Sequence, residues 1–243
     1  MKNNLISFLV FGISVILPSN AVWADQANGM SNESEAGVVI TGGNTDVSTL
    51  SFKENATLKE DHNSYNLKGR YLRSSNGGIE QALEWGLGVR YERTLNGRLG
   101  VFLGQLVESN IYQNIFQRYA TDLGGKYTFQ QKEKDLIWFA EGGYRFTREN
   151  YAYSFKNLSF LRLYTEVEKY FSETVSTKLW LEYLPNLSSW KGYQFNSNLS
   201  LNSAISTVFS LKSGFEFRYN NDAPSGVKSA SDRIFTTSLV AKI

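Results

Sequence analysis

Apolar and polar side chains alternate residue by residue in segment after segment of this chain, and a period of two is the mark of a β-strand with two unlike faces. From Gln81 to Arg93, Leu83, Trp85, Leu87, Val89 and Tyr91 fall on one face, with Ala82, Glu84, Gly86, Gly88, Arg90 and Glu92 on the other. Arg118 to Phe129 repeats the pattern, setting Tyr119, Thr121, Leu123, Tyr127 and Phe129 against Arg118, Ala120, Asp122 and Lys126. Leu136 to Phe146, Val175 to Tyr183 and Val208 to Tyr219 follow the same rule, which a helical period does not fit. A soluble sheet alternates too, because one of its faces meets a core, so the number and order of the segments must separate a sandwich from a barrel in a membrane.

Twelve such segments are centred on Val38, Phe52, Leu67, Leu87, Leu103, Leu123, Ala140, Leu163, Leu179, Leu199, Phe215 and Leu239. Connections after even-numbered segments are short and polar (Asp61 to Asn63, Leu95 to Gly97, Gln130 to Asp135, Phe171 to Thr174, Ser203 to Thr207). Most of those after odd-numbered segments read as longer: Ser75 to Glu80, Asn110 to Gln117, Asn150 to Asn157, Pro185 to Tyr193 and Asn220 to Asp232. Short turns on one side and longer loops on the other predict an all-β fold, a transmembrane up-and-down antiparallel β-barrel of about twelve strands. Tyr91, Tyr127, Phe129, Phe146, Tyr183, Tyr193, Tyr219 and Phe235 lie near segment ends, where amphipathic rings prefer the headgroup level. One segment resists the scheme. Glu54 shares a face with Leu50, Phe52, Ala56 and Leu58, which predicts either a bulge that resets the register or a misplaced second strand.

The first residues set the compartment. Lys2 precedes an apolar run from Leu5 to Leu17, Pro18 ends it, and Val22-Trp23-Ala24 resembles a small-residue cleavage site. The run is shorter than the ~20 residues of a spanning helix, so residues 1–24 read as a secretory signal peptide cleaved after Ala24. Residues 25–243 are then one barrel domain in the bacterial outer membrane, in contact with outer-membrane lipids and lipopolysaccharide and delivered by the barrel-assembly machinery. The chain has no cysteine, so closure and burial must stabilise it without disulfides or thiolate metal sites. Its net charge of +2 gives no reason to expect nucleic acid.

The chemistry on offer is limited. The sole histidine, His62, falls in a short turn, which removes mechanisms that need an imidazole in the wall or outer loops. Asp222 and Asp232 lack the spacing of an EF-hand, and no His or Cys cluster accompanies them, so no catalytic, cofactor or metal residues are assigned. What recurs is charge on the inward face: Glu84, Arg90, Arg118, Asp122, Lys126, Glu141, Arg145, Arg162, Glu166, Lys178, Glu182, Lys212, Glu216 and Arg218, with Glu92 and Glu108 beside them. The signs balance. Either these residues pair across strands and fill a small lumen together with Phe102, Phe139 and Trp180, or they line a water-filled path for small solutes or ions.

Thr41-Gly42-Gly43-Asn44-Thr45-Asp46 resembles a turn of the salt-induced outer-membrane protein family. Glu108, Arg118-Tyr119, Gly124-Gly125 with Tyr127, and Gly142-Gly143-Tyr144-Arg145 are similar to further blocks of that family in the same order. The resemblance implies a β-barrel in the outer membrane and no established activity. Read from its residues alone, the Thr41–Thr45 segment is a tight hairpin of residues that tolerate positive φ. The sequence therefore predicts a non-enzymatic outer-membrane barrel with a role in salt or envelope stress. A narrow passive channel and a histidine-independent membrane enzyme are the alternatives.

Overall fold

The computed structural model describes residues 28–41, 47–132, 135–151, 153–189, 192–223 and 229–242. Residues 1–24, which the sequence reading takes as a signal peptide, the Gly42–Asp46 part of the hairpin motif and Ile243 lie outside them. Twelve strands run through the described residues in chain order: β1 (Gly29–Thr41), β2 (Val47–Glu60), β3 (Asn63–Asn76), β4 (Ile79–Thr94), β5 (Leu99–Asn110), β6 (Ile115–Lys132), β7 (Leu136–Asn150), β8 (Phe155–Tyr170), β9 (Val175–Pro185), β10 (Tyr193–Ala204), β11 (Phe209–Asn220) and β12 (Ser231–Lys242). Each pairs antiparallel with its neighbours in sequence, and β12 returns to β1 to close the barrel. Closure removes both sheet edges, which is what lipid requires of a strand-built wall, since no water is there to satisfy an open edge. Every predicted segment centre falls within its strand.

The two faces divide as the alternation dictates. Leu87 is 52% exposed and Leu179 39%, both on the outer wall, while Glu84, Glu141 and Glu182 are buried inside the ring. The outer wall carries aromatic contacts at both rims. Tyr65 meets Tyr91 at 5.3 Å, and Phe129 stacks on Trp138 at 4.4 Å, on the side of the β2–β3 and β6–β7 turns. Tyr193 lies between Tyr183 and Tyr219 at 5.7 and 5.8 Å on the opposite side. Two belts separated by an apolar band fit a membrane-spanning barrel.

Loop length departs from the predicted contrast. The Ser75–Glu80 connection is a two-residue turn, because β3 and β4 stay paired out to Asn76 and Ile79. Gly77 (φ +57°) and Gly78 (φ +77°) supply the left-handed backbone that such a hairpin needs. The Asn150–Asn157 connection likewise shrinks to residues 151–154, since β7 and β8 pair as far as Asn150 and Phe155. Only the β9–β10 and β11–β12 connections are long among those described. Glu54 resolves against both expectations. The register of β2 with β1 and β3 runs unbroken past it, and Glu54 stays on the outer face, accepting a hydrogen bond from Ser34 Oγ at 2.7 Å.

Closure is uneven around the ring. β2 and β3 share fourteen register pairs, whereas β1 and β12 share four, from Glu33↔Lys242 to Ala36↔Leu239.

Candidate functional site

Inward positions on adjacent strands bring the charged side chains into one lumen. Arg145 on β7 chelates Asp122 on β6 through Nε and Nη2 (2.6 and 2.8 Å) and reaches Glu182 on β9 (3.1 Å). Arg162 on β8 bonds Glu182 (2.7 Å) and Glu141 (2.6 Å), and Glu141 also receives Arg90 from β4 at 2.7 Å. Arg90 then meets Glu92, which binds Lys126 at 2.7 Å. Nearer the loops, Arg118 joins Glu108 (2.8 Å) to Glu149 (2.7 Å). Toward the turns, Lys178 sits 3.3 Å from both Glu166 and Glu168, and Lys212 bonds Glu35 (2.9 Å) and Glu33 (3.2 Å). Charged groups on low-dielectric walls are tolerable when every one has an opposite partner, and forked guanidiniums satisfy two carboxylates at once.

Small residues make the room. Phe102 is 2% exposed, and its ring lies under the Arg90 guanidinium at 4.0 Å. A Cβ on Gly124 would stand 2.7 Å from that ring and 2.5 Å from the Gly142 carbonyl, so this position needs glycine. A Cβ on Gly86 would press on Arg70 Nε at 3.1 Å, and Arg70 uses that gap to cross from β3 to Glu108 on β5 (2.5 Å). Phe139 lies under Lys126 Nζ at 4.4 Å.

Among the described residues one ion pair crosses the barrel. Arg218 on β11 makes a two-pronged bond to Glu84 on β4, at 2.7 and 3.1 Å. These strands are five places apart one way round the ring and seven the other, so the pair bridges nearly opposite walls. Glu216 holds the Arg218 guanidinium at 2.6 Å, and Asn110 donates to Glu84 at 3.0 Å. On the same loop side a single 3-10 turn, Ile111–Gln113, follows β5, and Gln113 donates to Asp232 on β12. Beneath this closure lies a cavity of about 180 Å³ whose lining includes Arg70, Arg118, Arg145, Trp180, Glu182 and Arg218.

All fourteen inward charges named from the sequence take part in these ion pairs. Arg70, Glu33, Glu35, Glu149 and Glu168 belong with them and were not named. Their inward parity was there to be read, but β1 and β3 lack the dense apolar alternation that marks β4 or β9, and Glu149 and Glu168 lie near the ends of β7 and β8. Of the hairpin motif, Thr41 ends β1. His62 occupies the exposed turn after β2, away from the lumen. Among the described residues no group of three His, Cys, Asp or Glu is placed to hold a metal ion.

A closed antiparallel barrel with an apolar band, two aromatic belts and a paired, charged interior is an outer-membrane β-barrel. Residues 34–243 match the family described as a protein of unknown function, DUF481, and the chain belongs to that family. No curated protein sequence matches it. Among solved structures it is similar to an outer-membrane channel from Pseudomonas putida F1, with 10% identity and a TM-score of 0.50 over 93% of this chain and 98% of that one. It is also similar to the KdgM porin (11% identity, TM-score 0.47, 87% of this chain and 96% of that one). The NanC porin is a third (10% identity, TM-score 0.47, 88% of this chain and 98% of that one). At these identities the likeness concerns the fold.

Proposed function

We propose that this protein is a non-enzymatic outer-membrane barrel whose lumen is filled and tied shut by ion pairs, so that it serves the envelope as a wall element and not as an open pore. The Glu84–Arg218 bridge carries this reading, because a solute entering from the loop side would have to break a two-pronged ion pair spanning nearly opposite walls. A part in salt or envelope stress rests on the family resemblance alone. Export with removal of residues 1–24, contact with lipopolysaccharide and delivery by the barrel-assembly machinery belong to the same proposal.

A second reading, a narrow passive channel for small ions, draws on the cavity of about 180 Å³ beneath the bridge, whose walls bear both signs of charge. Planar-bilayer recording separates the two. The sealed barrel gives no steady conductance, whereas the Glu84→Ala/Arg218→Ala double variant, which also deprives Glu216 of its Arg218 partner, should conduct because the tie between the opposite walls is gone. Steady conductance in the unaltered protein would overturn the proposal. Conductance that appears only in the double variant would identify the bridge as a gate.

A further inference from the structure

The ion pairs do not occupy the lumen evenly. Lys68 points inward from β3, two inward positions toward the turns from the level of Glu84, between Asn55 on β2 and Gly88 on β4. It lies inside the ring, for the charges that act on it through space include Arg90 on β4, Glu141 on β7, Glu166 on β8 and Lys178 on β9, and β8 and β9 stand across the ring from β3. Yet it is exposed, and among the described residues its ammonium makes no ion pair and donates no hydrogen bond. A side chain enclosed by the wall and still touched by water marks a hollow. Gly88 helps to make it, having no side chain to set beside Lys68.

The carboxylates around Lys68 are engaged elsewhere. Glu166 takes Lys178 at 3.3 Å and the Tyr164 hydroxyl at 2.6 Å, and Glu141 takes Arg90 and Arg162 at 2.7 and 2.6 Å. They are also set back in the wall: the Glu141 side chain is 3% exposed and that of Glu166 20%, against 38% for Lys178. Short carboxylates stay close to the strands, while lysine stems carry their ammoniums toward the axis. Water in the hollow therefore meets cations first. A second donor stands beside Lys68. Its register partner Asn55 accepts from Asn66 at 2.8 Å, and the Asn55 amide N–H groups have no acceptor among the described residues.

We propose that Lys68 and Asn55 form a site for a small oxyanion of the size of phosphate, in a water-filled hollow of the lumen that opens toward the turns. The Glu84–Arg218 tie closes the loop side, so the turn side is the way in. An ammonium with three donors and a primary amide with two match the lone pairs of such an anion. Between walls of protein their attraction is screened less than at an open surface.

The chain has no cysteine, so one thiol beside Lys68 reports on the hollow. Gly88→Cys supplies it, since a Cβ there meets Leu106 Cδ1 at an ordinary 3.5 Å. In the detergent-folded barrel, the rates of an anionic and a cationic methanethiosulfonate of equal length are compared, each relative to its rate with a free thiol. The anionic reagent should be favoured about tenfold, the order expected of a unit charge acting a few ångströms away in water. Lys68→Gln should abolish the preference, and Lys68→Arg should keep it. Inorganic phosphate should protect the thiol saturably, and chloride at equal ionic strength should not. Equal rates for the two reagents, a preference that survives Lys68→Gln, protection by chloride equal to that by phosphate, or a thiol that neither reagent reaches would each overturn the proposal. Should Lys68→Gln fail to fold, the comparison of phosphate with chloride decides.

Discussion

Arg145→Ala is the sharpest perturbation of the lumen, because the two carboxylates it serves are left in unequal states. Glu182 keeps Arg162 at 2.7 Å and Asn196 at 3.0 Å, so it remains satisfied. Asp122 loses both prongs, at 2.6 and 2.8 Å, and retains only Arg162 at 3.7 Å. The cost is thus that of one stranded carboxylate in a largely enclosed wall, about 3 kcal/mol, at the lower edge of the range for breaking a buried pair because the site is partly hydrated. Arg145→Lys keeps the charge but not the fork and should lose about half as much. Arg145→Ala with Asp122→Ala removes the stranded group and should recover most of the loss. Urea unfolding of the detergent-folded barrel and its resistance to heat on gels read the stability, and bilayer recording reads the conductance. A shift in ion selectivity at unchanged stability would refute the paired-lumen reasoning, since a solvated charge lining an open path contributes little to folding.

Four other outcomes follow from the same structure. Leu87→Arg places a cation on the outer wall near mid-band and should block assembly or cost about 2 to 4 kcal/mol, while Ala82→Arg, on the inward face, should still assemble; outer-membrane yield of heat-modifiable protein checks both. Gly124→Ala should impair assembly, and Phe102→Ala should not rescue it, because the added Cβ also meets the Gly142 carbonyl at 2.5 Å; recovery in the double variant would show that the ring alone is the obstacle. Mass spectrometry of the membrane-inserted protein should find Asp25 as the first residue, and a chain still carrying Met1 would contradict export by cleavage. In the β6–β7 turn, hydrogen bonds from Lys169 and Lys132 hold the Asp135 carboxyl below its ordinary range. A lowered carboxylate stabilises above its unfolded pKa and stops doing so as pH falls through the folded one. The protection of the amides in this turn, taken relative to their intrinsic exchange rate at each pH, should therefore fall on acidification in the unaltered protein and be insensitive to it in Asp135→Asn.

The face on which a residue falls was legible wherever lipid and lumen impose opposite demands on alternate side chains. Leu87 and Glu84 are separated by that rule alone. Loop lengths were not, because β3, β4, β7 and β8 continue pairing beyond the apolar band, where both faces meet water and alternation disappears while the backbone ladder persists. Residues such as Ser75, Asn76 and Asn150 therefore read as loop and fold as strand. The ion pairs divide in the same way. Asp122 and Arg145 are register partners on adjacent strands, so pairing of neighbouring segments places them together. Glu84 and Arg218 are 134 positions apart in sequence and meet only because the ring closes.

The short β1–β12 seam has a kinetic meaning as well as a geometric one. All other strand pairings join neighbours in sequence and can form as hairpins, one after another, whereas Glu33 and Lys242 must find each other across nearly the whole chain. Such a contact carries the largest loop-closure entropy in the molecule and is expected last. With four register pairs to reward it, the rate of folding should be governed at this junction. Changes in the middle of the wall would then alter how long the finished barrel lasts more than how quickly it forms.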